Sequence, residues 1–146
     1  MRKVFVIIAA GLMTIACNRE NIFFQEWDTP YGIPPFDKIQ VADYMPAVKA
    51  GIEQQNAEIQ AIIDNPEAPT FENTIAAMDR SGRLLGKVRN ILFNVIESDY
   101  SDALNKVVEE APPRIAAHND DIMMNPGLFA RVKAVYEADQ SGLSRE

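Results

Sequence analysis

A single histidine, His118, stands beside Asn119, Asp120 and Asp121, so one short stretch offers an imidazole and two carboxylates. Such a set could in principle hold a metal ion, since both groups are common ligands. Hydrolysis asks for more. A catalytic zinc takes about three protein ligands and keeps a fourth position open, and carboxylates alone favour harder cations. His118 with Asp120 and Asp121 is therefore expected to be a surface feature among solvated acids. The pair Glu109-Glu110, and Glu53 with Glu58, read in the same way as solvent-facing charges. A serine or cysteine nucleophile needs a base within hydrogen-bond reach, and one imidazole offers little choice. No catalytic, cofactor-binding or metal-binding residue is assigned in this chain.

The remaining reactive side chain is Cys17, the only cysteine. It follows the apolar stretch Val4 to Ala16, which stands behind the basic pair Arg2-Lys3. About thirteen apolar residues fall short of the roughly twenty that span a hydrocarbon core, and the layout is that of an export signal over 1–17. The ending Thr14-Ile15-Ala16-Cys17 resembles a bacterial lipoprotein processing box, with Thr14 where leucine is usual. That resemblance implies lipidation of Cys17 and cleavage before it. Several acyl chains would then hold the protein firmly in a membrane, where one chain alone holds marginally. Asn18 follows Cys17, and aspartate there is the residue linked to inner-membrane retention. The expected location is the cell envelope, at the outer membrane, on its periplasmic or surface face.

The chain of 146 residues, 47% hydrophobic, has the length and composition of about one globular domain. A formal net charge of −7, with no cluster of Lys and Arg, argues against nucleic acid as a partner. Residues 18–42 read as a tether, up to Gln25, followed by an extended Pro-rich lead-in. Pro30, Pro34 and Pro35 push their predecessors away from helical angles, which leaves Trp27, Tyr31 and Phe36 as the anchors of that lead-in.

Residues 43–146 must then supply the scaffold, and their periodicity is helical. The first helix is predicted to open at Asp43 as N-cap, with Pro46 in its first turn. It aligns Met45, Val48, Ile52, Ile59 and Ile62 and stops before Pro66. The second opens at Thr70 and carries Phe71, Ile75, Met78, Leu85, Val88, Leu92 and Val95. Gly82 and Gly86 interrupt it and predict a bend or a close helix approach. The third opens at Ser101, aligns Leu104, Val107, Val108, Ile115 and Ile122, and is kinked or broken at Pro112-Pro113. The fourth is capped by Asn125, with Pro126 in first position, carries Leu128, Phe129, Val132, Val135 and Tyr136, and stops near Gly142. No run alternates as a strand would. The fold class is all-α, about four antiparallel helices after the extended Pro-rich lead-in.

Three stretches carry a family signature: Glu26-Trp27-Asp28-Thr29-Pro30-Tyr31-Gly32-Ile33-Pro34-Pro35-Phe36-Asp37-Lys38-Ile39, then Asp43-Tyr44-Met45-Pro46-Ala47, then Asn65-Pro66-Glu67-Ala68-Pro69-Thr70-Phe71-Glu72-Asn73-Thr74-Ile75. Together with Leu128 to Tyr136, in the same order, they resemble the N-terminal region of bacterial peptidyl-dipeptidases of the thimet oligopeptidase family. The resemblance implies the front part of a larger, mostly helical enzyme with its site in a deep channel between two helical halves. It implies zinc held by an H-E-x-x-H helix and a downstream glutamate, and release of C-terminal dipeptides from peptides. With one histidine, this chain lacks that motif. It is expected to be inactive alone, to form channel wall, and to meet peptide substrates through the missing catalytic part. The alternative is a free-standing, non-catalytic helical lipoprotein that binds a protein partner.

Overall fold

The computed structural model describes residues 19–97 and 101–138, and among them no strand occurs. The fold is all-α. Its central element is α1, Val41–Ile63, which touches all four of the other α-helices. Asp43 is not its N-cap, as the sequence predicts, but lies one turn in. From there its carboxylate accepts the Gln40 backbone N–H at 2.8 Å, satisfying a donor that the helix start leaves orphaned. Pro46 consequently sits inside the helix and not in its first turn. The helix ends at Ile63, ahead of Pro66 as expected.

The second periodic stretch is not one helix. Thr70 caps it, its hydroxyl accepting the Asn73 N–H at 3.1 Å while Asn73 Oδ1 accepts the Thr70 N–H at 2.8 Å. A π-helical turn, Phe71–Ala76, leads into the short α2, Ala77–Arg80. Ser81 is then extended, Gly82 takes φ 68°, and a new helix α3 runs Arg83–Ile96. A side chain at position 82 would be strained by that φ and would displace the Gln55 amide, which lies within 2.4 Å, so glycine is favoured at this break. Gly86 breaks nothing and stands in open space. The close helix approach is made instead by Gly51 on α1, where an added Cβ would lie 2.9 Å from the Leu85 backbone of α3.

Ser101 caps α4, Asp102–Met123, by accepting the Leu104 N–H. Pro112 and Pro113 lie within this helix, so of the kink or break expected there the break does not occur. An interior proline costs about 3 kcal/mol. Burial of Leu104, Val107, Ala111 and Ile115 in the core shared with α1 and α3 offsets that cost. Asn125 caps α5, Pro126–Glu137, through the Gly127 and Leu128 N–H groups. The helix ends at Glu137, short of Gly142, and residues 139–146 lie outside the described part. Its buried face is Leu128 and Arg131, whereas Phe129 and Tyr136 are exposed.

The segment predicted to be a tether is packed. Ile22 and Phe23 are buried beside Tyr44, Val88 and Leu92. Arg19 donates to both Asp43 carboxylate oxygens at 2.6 Å, and Trp27 Nε1 donates to Ile22 O at 2.9 Å. Lys87 Nζ lies 3.5 Å from the Trp27 ring centroid and donates to Phe23 O and Gln25 O. Of the predicted anchors, Trp27 serves. Tyr31 and Phe36 do not, being fully and half exposed; Pro35 is the buried member of the lead-in. A smaller second cluster, Ile59, Ile62, Ile122 and Leu128, joins the C-terminal ends of α1 and α4 to the start of α5.

Candidate functional site

The polar residues that could bear chemistry converge on the break before α3. His118 projects from α4 and is buried, only 4% exposed, so the surface placement expected from its acidic neighbours is wrong. Its Nε2 lies 2.9 Å from Gln55 Oε1 on α1. An amide oxygen only accepts, so with the Gln55 amide in this orientation a neutral ring donates from Nε2. The same Gln55 donates from Nε2 to Ser81 Oγ at 3.2 Å, and Ser81 Oγ donates to Met78 O. Glu58, one turn along α1, accepts the Gly82 N–H at 2.7 Å and the Gln54 amide at 2.8 Å. It is thus a structural acceptor at the start of α3, where a carboxylate also suits the helix dipole, and not a solvent-facing charge.

The other acids behave as the sequence suggests. Asp120, Asp121 and Glu109 are exposed, Glu53 pairs with Lys49 at 3.9 Å, and Glu110 pairs with Arg114 at 3.8 Å. Among the described residues no group of three or more His, Cys, Asp or Glu side chains is gathered for a metal. Cys17 lies outside the described residues. The network positions a helix start, and its one hydroxyl, Ser81 Oγ, donates to Met78 O and meets Gln55, not the His118 ring.

Burial lowers the His118 pKa from its ordinary value of 6.5, with Asp121 opposing weakly. The sign for stability follows. Between the depressed folded value and 6.5 the unfolded chain binds more protons, so stability is full above about pH 6.5 and is lost as pH falls through the folded value. Urea midpoints measured from pH 7 to 5.5 should fall in the wild type and slope less in His118→Gln. Equal slopes would assign the acid sensitivity to other groups.

A second polar centre was not legible as such. Arg131 is buried on α5 and donates to Asn65 O at 2.8 Å, to Glu67 O at 3.4 and 3.5 Å, and to Asn73 Oδ1 at 3.3 Å. It ties the Asn65-to-Ile75 signature to the Leu128-to-Tyr136 signature. Beside the network, α1 and α4 leave an open groove of about 740 Å³ floored by Met45, Val48 and Ile52, with Lys49, Glu53, Glu110 and Arg114 at its rim and His118 in its wall. An apolar floor with charges of both signs above it suits a peptide-like or helical neighbour.

Over 118 residues, 80% of this chain, the sequence is 40% identical to a dipeptidyl carboxypeptidase of Salmonella typhimurium. The chain is homologous to part of dipeptidyl carboxypeptidase. The dipeptidyl carboxypeptidase of Escherichia coli K12 is 39% identical over 127 residues, 86% of this chain. Oligopeptidase A of the same organism is 20% identical over 111 residues, 76% of the chain. No family model matches. The chain spans 17% and 19% of the lengths of the two dipeptidyl carboxypeptidases and 16% of Oligopeptidase A. Its homology thus concerns a segment of these proteins.

Proposed function

We propose that this chain is one part of a zinc-dependent peptidyl-dipeptidase, an enzyme that releases C-terminal dipeptides, and that it lines the substrate channel without contributing catalytic groups. The observation that carries the reading is the 40% identity to a dipeptidyl carboxypeptidase over four fifths of this chain but 17% of that enzyme. The residues present do not suit a zinc centre. The sequence holds one histidine, and that ring faces Gln55, while Glu58 is engaged by the Gly82 N–H. The metal and its water belong to a part of the enzyme beyond this chain, and no chemical step is assigned to residues here. The groove between α1 and α4 is the candidate wall surface, because a peptide backbone needs an open, partly apolar trough with polar edges.

The test has two arms. The purified chain, with and without added zinc, is expected to release no dipeptide above background from an unstructured peptide. When it replaces the matching stretch of the Escherichia coli dipeptidyl carboxypeptidase, the chimera is expected to cleave. Turnover by the chain alone would overturn the reading. A second reading, a free-standing helical lipoprotein that binds a protein partner, draws support from the exposure of Phe71, Phe93, Met123, Met124 and Phe129. A well-folded chimera without activity would favour it.

For location, the proposal is a lipid anchor at Cys17 in the cell envelope, at the outer membrane. It rests on the Thr14-Ile15-Ala16-Cys17 box behind an apolar segment. Among the described residues no helix is long and apolar enough to cross a membrane. Cys17→Ala is expected to move the protein from the membrane pellet to the soluble fraction of an expressing bacterium. Retention in the pellet would sink the anchor.

A further inference from the structure

Tyr31 is held in a strained backbone conformation that its own side chain does nothing to stabilise. Its φ of 60° is left-handed, and it is the one non-glycine residue so placed among the described residues. Its side chain is fully exposed, at 101%, so packing does not hold it there. The backbone does: Gly32 N donates to Thr29 O at 3.0 Å, Thr29 Oγ1 donates to Ile33 O at 2.6 Å, and Gly32 is itself at φ 67°. A bulky residue at positive φ is uncommon, and such strain gathers where a surface is pre-organised for contact. The turn holds Tyr31 out beside Ile33 and Phe36, each about half exposed. Phe36 also borders a cleft of about 390 Å³ walled by Ile39, Val41, Tyr44, Val95 and Leu104, with the Asn94 amide among them.

The geometry points to this face as the seat of another stretch of the peptidyl-dipeptidase polypeptide, which covers Tyr31, Ile33 and Phe36 and lowers an apolar side chain into the cleft. The inference rests on the function proposed above. More than four fifths of each dipeptidyl carboxypeptidase lies outside the part this chain spans, and in the enzyme proposed above that body of protein packs against a face of it. Residues 30–36 carry no charged side chain, and the two aromatics that this Pro-rich turn exposes are of the type enriched in interface cores. No comparable strain accompanies the other exposed apolar residues, such as Phe93, Met123 and Phe129.

The experiment mixes the full chain with the separately produced remainder of the Escherichia coli dipeptidyl carboxypeptidase, lacking the matching stretch. Hydroxyl-radical footprinting is read on each partner alone and on the mixture. Oxidation at Tyr31, Ile33 and Phe36 is expected to drop at least fivefold in the mixture, with Phe93 and Phe129 unchanged. Tyr31→Gly, which relieves the strain and so does not lower the melting temperature, is expected to weaken association at least tenfold. Absence of association, protection of a different face, unchanged affinity in Tyr31→Gly, or protection arising from self-association of the chain alone would each overturn the inference. Dipeptide release by the mixture reports separately on the proposed function, which survives if activity appears while the lead-in stays labelled.

Discussion

Phe23→Ala is expected to lower the free energy of unfolding by about 3–5 kcal/mol, the usual cost of emptying a buried aromatic site. Phe23 is 2% exposed, with its ring 5.3 Å from Tyr44 and 6.4 Å from Trp27 between centroids. Collapse of the site is hindered from several directions. Asn21 Oδ1 holds the Phe23 N–H at 2.9 Å, the Asn21 amide donates to Asp43 O, and Lys87 bonds Phe23 O. The urea midpoint of the full chain measures the effect. A tether would give a change within about 0.5 kcal/mol, so the result separates a packed amino-terminal turn from a loose leader.

Arg131→Met is expected to cost about 2 kcal/mol, and to loosen residues 65–73 more than the rest. The methionine keeps most of the apolar stem but no donor, so Asn65 O loses its partner and Asn73 Oδ1, still bonded by the Thr70 N–H, loses one of its donors. Removal of a buried cation recovers part of its desolvation, and the exposed Glu67 can turn its carbonyl to water, which keeps the loss below that of the aromatic deletion. Lysine does not substitute, because a point charge cannot reach three acceptors that a planar guanidinium spans. Hydrogen exchange resolves the prediction: amides of residues 67–73 should exchange faster in Arg131→Met while those of α3 keep their protection. Uniform protection with an unchanged urea midpoint would mean that the clasp contributes nothing to the fold.

The two variants also measure how far sequence reasoning reached. The helical periodicity of Leu85, Val88 and Leu92, and of Leu104, Val107 and Ile115, is matched by burial, since three- and four-residue spacing reports directly which face is apolar. Caps were equally legible at Thr70, Ser101 and Asn125, where the acceptor and the N–H it serves lie within three residues. Failures came where a residue's partner is remote. Asp43 looks like an N-cap until Arg19 and the Gln40 N–H claim it one turn inside the helix. His118 and Glu58 look solvated beside their charged neighbours, and both are held by α1 contacts or by the Gly82 break. Arg131 gave no local sign of burial at all.

From the sequence alone came the all-α class, the likeness to peptidyl-dipeptidases, and the impossibility of a two-histidine metal helix with one imidazole. Those properties depend on residue identity, or on spacing within a turn or two, which the chain carries before it folds. Only the tertiary structure decided that Ile22 and Phe23 belong to the core, that the second helix stops at Gly82, and that His118 and Arg131 lie inside. Their partners stand 63 and 66 positions away, at Gln55 and Asn65. Burial of a polar side chain is set by which distant acceptor the packed helices bring within about 3 Å, and no local pattern encodes that distance.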